Sequence, residues 1–467
     1  MTNNWKSPIV VNTVSKEDEM KEKNLDLCRG NINSVFFQFL LPSIGATLVN
    51  SIYILGDTIL VGRGVGSMGI AALNLLLPVF SLFFATGMLF GVGGSVLFSF
   101  DKGRMDDEGA KVHFSAAFVG TLIMMVVYEL VFGIFFDPIT AFLGRNETMD
   151  SLVRSYGRIL TFGCPVFMMS SFLQAFVRND KAPKTAMTAV IAGGVSNVIL
   201  DYIFMFPMKM GMAGGAIATV LGSLITVGIL LTHFFSKENT LHFTWKFPWK
   251  TVFEVGYNGL SSFILDLSSG VVILLFNRQL LYWIGDLGVV VYGIVSNSVL
   301  VVNSISNGIC QASQPLMAVN NGAGLKKRVE DTFRLARKFS VASGIFFTAL
   351  GIFLPQLVVH IFIEPTPEIL TMAVPAVRIY FLAFLAVGVN LLMATYFQSV
   401  LMPAYALILS LCRGVFFSGI LVYFLPIIVG VDGIWAAMPA AEAIALFMGI
   451  IMKKKAAGES RRQKITD

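Results

Sequence analysis

Charge is scarce in this sequence. Only 13% of its 467 residues are Asp, Glu, Lys or Arg, against 55% hydrophobic residues and a mean hydropathy of +0.76. So few charges cannot cover a soluble globule of this length, and the composition defines an integral membrane protein. Cysteine is equally rare: Cys28, Cys164, Cys310 and Cys412 form no CxxC pair, which removes a disulfide framework and a zinc site. The four histidines, His113, His233, His242 and His360, make no HExxH arrangement, and no GxxxxGK[ST] run occurs. Metalloprotease chemistry and ATP hydrolysis therefore lack their residues, no metal or organic cofactor is expected, and no paired base and nucleophile suggests an intramembrane enzyme. The net charge of +6 does not mark a nucleic-acid binder, because the basic residues lie between and beyond apolar runs.

Those runs carry the information. Twelve apolar segments are each long enough to cross a bilayer about 30 Å thick at about 1.5 Å per residue. They fall at 35 to 60, 70 to 99, 112 to 136, 152 to 177, 184 to 206, 213 to 235, 255 to 283, 287 to 317, 338 to 363, 370 to 398, 403 to 428 and 433 to 452. Of the 34 Lys and Arg residues, 26 lie in the two terminal segments and in the connections after even-numbered spans, which places both termini in the cytoplasm. A shift of 220 residues lays Asp57 on Asn277, Arg158 on Arg378 and Pro183 on Pro403, and a shift of 219 lays Gly211 on Gly430 and Gly214 on Gly433. The period is six spans. An even number gives parallel halves, so the expected fold is an all-α membrane protein of twelve transmembrane helices in two pseudo-symmetric six-helix lobes. The expected organisation is a cytoplasmic tail over 1–34, a first lobe over 35–235, a cytoplasmic linker over 236–254, a second lobe over 255–452 and a basic cytoplasmic tail over 453–467.

The symmetry breaks at the acids. Asp57 sits within the first apolar run, where an intramembrane carboxylate costs roughly 2.5 to 3.5 kcal/mol on insertion scales. Asn50, Tyr53 and Asp57, at i, i+3 and i+7, share one helical face. Asn197 and Asp201, at i and i+4, share a face of the fifth span, and Thr219 opens the sixth. Counted from the external ends of their spans, Asp57, Asp201 and Thr219 lie at a common depth of about 8 to 9 Å by helical rise. Two carboxylates in a low-dielectric pocket do not both remain bare charges, so the group holds a proton or cages Na⁺. The alternative is that these acids only tie one helix to the next.

The run P(42)…N(50)..Y(53)...DT(57, 58)..VG(61, 62)...G(66)....AALN(71 to 74), the N...D pair at 197 and 201, MGMAGGAIAT(210 to 219) and Q(311)..QPL(314 to 316)...NNGAG(320 to 324) resemble the multidrug and toxic compound extrusion (MATE) transporters. Phe397, Gln398, Arg413 and GIW(433 to 435) continue the likeness, which is greatest to the DinF-like branch. The resemblance implies a secondary exporter in the cell membrane that antiports organic cations and other drugs against H⁺ or Na⁺. It also implies cation-coupling roles for Asp57, Tyr53, Asn197, Asp201 and Thr219. Ser261 departs from the family pattern, in which many relatives carry Pro at the start of the seventh span.

In the second half, Asn303, Asn307, Gln311 and Gln314 recur at i, i+4, i+8 and i+11, a stripe that lipid would penalise. With Asn50 and Asp266 they are the expected lining of a substrate cavity between the lobes. Asp266 either attracts a cationic substrate or pairs with a polar neighbour, and Glu442 reads as structural. The expected partners are amphipathic, cationic small molecules and membrane lipids, and a complete two-lobe repeat is consistent with a working monomer. A flippase for a lipid-linked precursor is the alternative; its phosphates would call for a basic cavity, whereas the embedded acids favour cations.

Overall fold

The structure, a computed structural model, describes residues 26–466, so residues 1–25 of the expected N-terminal tail lie outside the described residues. The first half comprises α1 (Ile32–Gly64), α2 (Ser67–Arg104), α3 (Asp107–Phe142), α4 (Asp150–Phe162), α5 (Cys164–Asn179), α6 (Pro183–Met205) and α7 (Gly211–Leu231). The second comprises α8 (Trp249–Trp283), α9 (Asp286–Gly322), α10 (Lys326–Phe353), α11 (Pro355–Phe362), α12 (Pro367–Tyr380), α13 (Phe384–Ser399), α14 (Pro403–Leu411), α15 (Phe417–Val429) and α16 (Asp432–Thr466). Eleven helical stretches among the described residues are long and apolar enough to span a bilayer; α4 and α5, bent by 50°, together form a twelfth. The architecture is therefore all-α with twelve spans, as the sequence predicts. The final helix runs through the expected C-terminal tail to Thr466.

Local chemistry sets the helix starts. Asn31 caps α1 by accepting from the backbone N–H groups of Asn33 and Ser34, and Asp106 caps α3 by accepting from Gly109. Pro183, Pro355, Pro367 and Pro403 each sit in the first turn of a helix, where no N–H is needed. The duplication is written in the backbone. Positive φ angles fall in matched pairs at Gly66 and Gly285, Met105 and Gly324, Lys181 and Leu401, and Gly211 and Gly430, each pair 219 or 220 residues apart. The same turns recur at the same places in both halves.

The halves meet along α2, α8 and α9. An added Cβ on Gly259 would run into Leu89 O, and one on Gly322 into Phe100 O, so these helices approach backbone to backbone. Val92 and Val96 of α2, Ala175 of α5 and Ala318 of α9 fill the same seam. All these contacts lie toward the basic connections. Nearer the middle of the spans, Thr47 Oγ1 donates to Ser304 O at 2.7 Å and Ser51 hydrogen-bonds the Ser304 hydroxyl. Beyond that level the halves diverge.

Helix α1 is shared between the halves. Val35, Phe36, Phe39 and Leu40 belong to the apolar core of the second half, whereas Val61 belongs to that of the first. Between them, Gly45, Tyr53, Gly56 and Gly64 pack in turn against Met187, Gly194, Val198 and Met205 of α6. The segment joining the halves is fastened rather than loose. Asp180 accepts from Thr240 N at 2.8 Å and Thr240 Oγ1 at 2.6 Å and pairs with His233 Nε2 at 2.8 Å, and Thr244 N donates to Ser115 Oγ at 2.8 Å.

Candidate functional site

The first half contains a cleft whose shape follows from glycine. An added Cβ at Gly193 of α6 would collide with the Thr226 hydroxyl and Gly222 O of α7, and one at Gly222 would press on Asn197 Cβ. With hydrogen there instead, α6 and α7 close until Asn197 Nδ2 lies 3.5 Å from Thr219 Oγ1, while the Thr219 hydroxyl donates to Gly215 O at 3.0 Å. One turn beyond Asn197 on α6, Asp201 is fully buried at 0% exposure. Asp57 arrives from α1 and faces it, close enough for the two carboxyl groups to share a proton. No N–H or O–H of the protein serves either Asp201 oxygen, Asp57 Oδ1 or Asn197 Oδ1.

Four buried acceptor oxygens without donors can be satisfied by a proton or by a small hard cation, and by little else. Tyr156 of α4 stands beside this group, next to Thr219 and both acids. Asn50, Tyr53, Ser170, Gln174, Asn197 and Thr219 line the adjoining cleft, which holds about 450 Å³ with its mouth included. Asp57, Asp201, Asn197, Tyr53 and Thr219 are thus brought together. Asn50 joins them, rather than the residues of the second half.

The corresponding place in the second half is filled. Displacement by 220 or 219 residues carries the cleft residues Ser170, Gly193 and Ser223 onto Asn390, Arg413 and Glu442. There Arg413 donates to Glu442 Oε1 through Nη2 at 2.7 Å and Nε at 3.0 Å, and Asn390 Nδ2 donates to Glu442 Oε2 at 2.6 Å. Arg413 lies in the π-helical turn Cys412–Phe416, and Glu442 has 0% exposure. One half keeps acids without a counter-charge; the other neutralises its acid internally.

The stripe expected along α9 divides. Asn303 is partly open and Asn307 exposed, and Asp266 of α8 is exposed at its tip while protein surrounds it at longer range, which marks a concave wall. Gln311 accepts from Arg178 Nη1 of the opposite half at 2.9 Å. Gln314 is buried and donates to Gln398 Oε1 at 3.1 Å, and Gln398 in turn donates to Asn258 O at 2.7 Å. Gln314 therefore belongs to the seam between the halves and not to the open lining. Sequence reasoning passed over Tyr156, which sits on a short helix with no polar partner in register. It grouped Arg178 with the basic connections because Lys181 and Lys184 follow closely.

Duplicated halves of six spans, closed on one side and diverging on the other around embedded acids, have the build of a membrane transporter. Residues 42–203 and 261–424 match the MatE family model, most of the chain. The chain belongs to the MatE family, whose members are transporters and not enzymes. It is 26% identical over 421 residues to the multidrug export protein MepA of Staphylococcus aureus (strain MSSA476), covering 89% of this chain and 92% of that protein. It is 28% identical over 295 residues to MepA of Staphylococcus saprophyticus, covering 62% of this chain and 65% of that one. Among solved structures it matches one described as an outward-facing conformation of a multidrug resistance MATE family transporter of the MOP superfamily. The TM-score is 0.88 at 21% identity, covering 94% of this chain and 99% of that chain. It also matches a MOP superfamily transporter from Pyrococcus furiosus with a TM-score of 0.86 at 22% identity, over 93% and 98% of the two chains.

Proposed function

We propose that this transporter is a multidrug exporter that moves amphipathic organic cations out of the cell in exchange for H⁺ or Na⁺. The observation that carries the reading is the contrast between the halves: Asp57 and Asp201 without a counter-ion in one, Glu442 held by Arg413 in the other. Asp57 and Asp201 take the coupling ion, with Asn197, Thr219 and Tyr53 supplying further oxygens, as in a DinF-like member of the family. Drug occupies the space bounded by Asp266, Asn303, Asn307 and Gln311, with Asn50 at its edge on the first half.

The distribution of Lys and Arg supports a plasma-membrane protein with both termini in the cytoplasm. In that frame the seam at Gly93, Gly259 and Gly322 closes the cytoplasmic side. Ion entry at the acids changes how α1 packs on α6 and α7 and so shifts the equilibrium between outward-open and inward-open arrangements. Residues 1–34 and 453–467 are cytoplasmic segments, 236–254 joins a first lobe over 35–235 to a second over 255–452, and one chain is the working unit.

The test is uptake of a fluorescent cationic dye into inverted vesicles under an imposed pH or Na⁺ gradient. Asp57→Asn and Asp201→Asn should each remove the gradient dependence. Gradient-driven uptake by both variants at the parent's rate defeats the assignment.

A further inference from the structure

The mechanism proposed above leaves one buried charge unused. Arg178, on the last turn of α5, is 4% exposed; its Nη1 meets the neutral Gln311, while Nε and Nη2 have no partner. No charged group stands close to it. A guanidinium has five donors and no way to shed its proton, so a buried one is ordinarily matched by a carboxylate or phosphate. Sealing the two halves does not explain the charge. The matching position in the second half is Gln398, a neutral amide that accepts from Gln314 at 3.1 Å and donates to Asn258 O at 2.7 Å and Ser262 Oγ at 3.4 Å. An amide closes that side with its hydrogen bonds made; an arginine closes this side with two of its nitrogens unserved.

Its location supplies the missing use. Asn303, Asn307 and Gln311 descend the open face of α9 one turn at a time, and Arg178 lies at the foot of that stripe, held against it only by the closure of the halves. We infer that Arg178 is a specificity-determining residue that binds an anionic group, a carboxylate, on the transported compound when the halves part on this side. The substrates then include zwitterions, which carry a carboxylate as well as a cation. Parting of the halves removes Gln311 and bares Nε and Nη2 in the parallel geometry that a carboxylate accepts. Reclosure returns Gln311 Oε1 to Nη1 and buries the guanidinium, which expels the carboxylate toward the open side. The inference rests on the export reading given above and extends it to a second class of cargo.

Gradient-driven transport of two dyes that differ by one group tests it: rhodamine 123, a cationic methyl ester, and rhodamine 110, the corresponding free acid. Parent protein moves both. Arg178→Gln should slow the free acid by at least about tenfold while leaving the ester within about twofold, the scale of one lost charge-assisted pair. Arg178→Lys should restore part of the free-acid transport. Gln311→Glu provides a folding-independent arm, because it gives Arg178 a built-in carboxylate: free-acid transport should fall with ester transport kept. If parent moves the ester but not the acid, or if Arg178→Gln and Gln311→Glu treat the two dyes alike, Arg178 does not select anions and the export reading still stands. If parent moves neither dye, that reading falls and this one with it.

Discussion

Arg413→Met, compared with the double variant Arg413→Met, Glu442→Leu, measures what the ion pair in the second half is for. In the parent, Glu442 Oε1 and Oε2 receive Arg413 Nη2 at 2.7 Å, Arg413 Nε at 3.0 and 3.3 Å and Asn390 Nδ2 at 2.6 Å, at 0% exposure. Arg413→Met keeps the volume and removes all the donors but Asn390, which leaves a carboxylate buried without a counter-charge. Breaking one partner of such a pair costs about 3 to 5 kcal/mol, whereas replacing both with apolar groups of similar volume is often neutral. The single variant should therefore be the least stable of the three proteins and the double variant should recover most of the loss. Cys310 lies buried near Arg413, so unfolding in detergent can be followed with a thiol-reactive dye in a Cys164→Ala background. Equal stability for the single and double variants would refute the view that Arg413 is present to neutralise Glu442. Gradient-driven transport by the folded double variant should keep the parent's ion dependence, because the coupling acids lie in the other half.

Gly259→Val should obstruct the seam against Leu89 O and open it on the side of the basic connections. The reactivity of a cysteine introduced by Asn307→Cys toward an impermeant maleimide added from the opposite side should fall by about tenfold, the effect of about 1.4 kcal/mol on the two-state balance. Thr219→Ala removes the hydroxyl that lies 3.5 Å from Asn197 Nδ2, and should weaken apparent affinity for the coupling ion by about threefold to tenfold, on the scale of one hydrogen bond; Thr219→Ser should keep it, measured as the ion concentration giving half-maximal dye transport. Asp180→Ala strips the joining segment of its bonds to Thr240 and His233, and limited trypsin digestion should then cut near Lys237 and Lys246 faster than in the parent.

The spans were legible because a bilayer asks for a simple quantity, a long apolar run. Boundaries moved where helices leave that slab: α8 begins at Trp249, ahead of the apolar stretch expected from 255, since a helix emerging into water no longer has to be apolar. The fourth span is the exception inside the slab, broken at Gly163 where Pro165 follows. Asp57, Asn197, Asp201 and Thr219 could be assembled from sequence because acids in apolar runs are conspicuous and their depths could be counted. The pairing of Arg413 with Glu442 could not, because those residues lie on different helices and spacing along a chain carries no distance between helices. Gln314 followed the α9 periodicity faithfully, yet that periodicity says only which residues share a face. Whether the face looks onto open space or onto Gln398 depends on the other helices.

The division of α1 has a further consequence for how this protein came to be and how it can be taken apart. Cutting the chain between the two repeats would leave Phe36, Phe39 and Leu40 on the first fragment while their apolar seat stays on the second. Neither fragment would be a finished unit, although each holds six crossings; the first would carry a docking arm and the second an empty groove shaped for it. A duplication that began as two equivalent copies has thus become an obligate partnership, joined more firmly by a borrowed helix than by the stretch of chain that connects them.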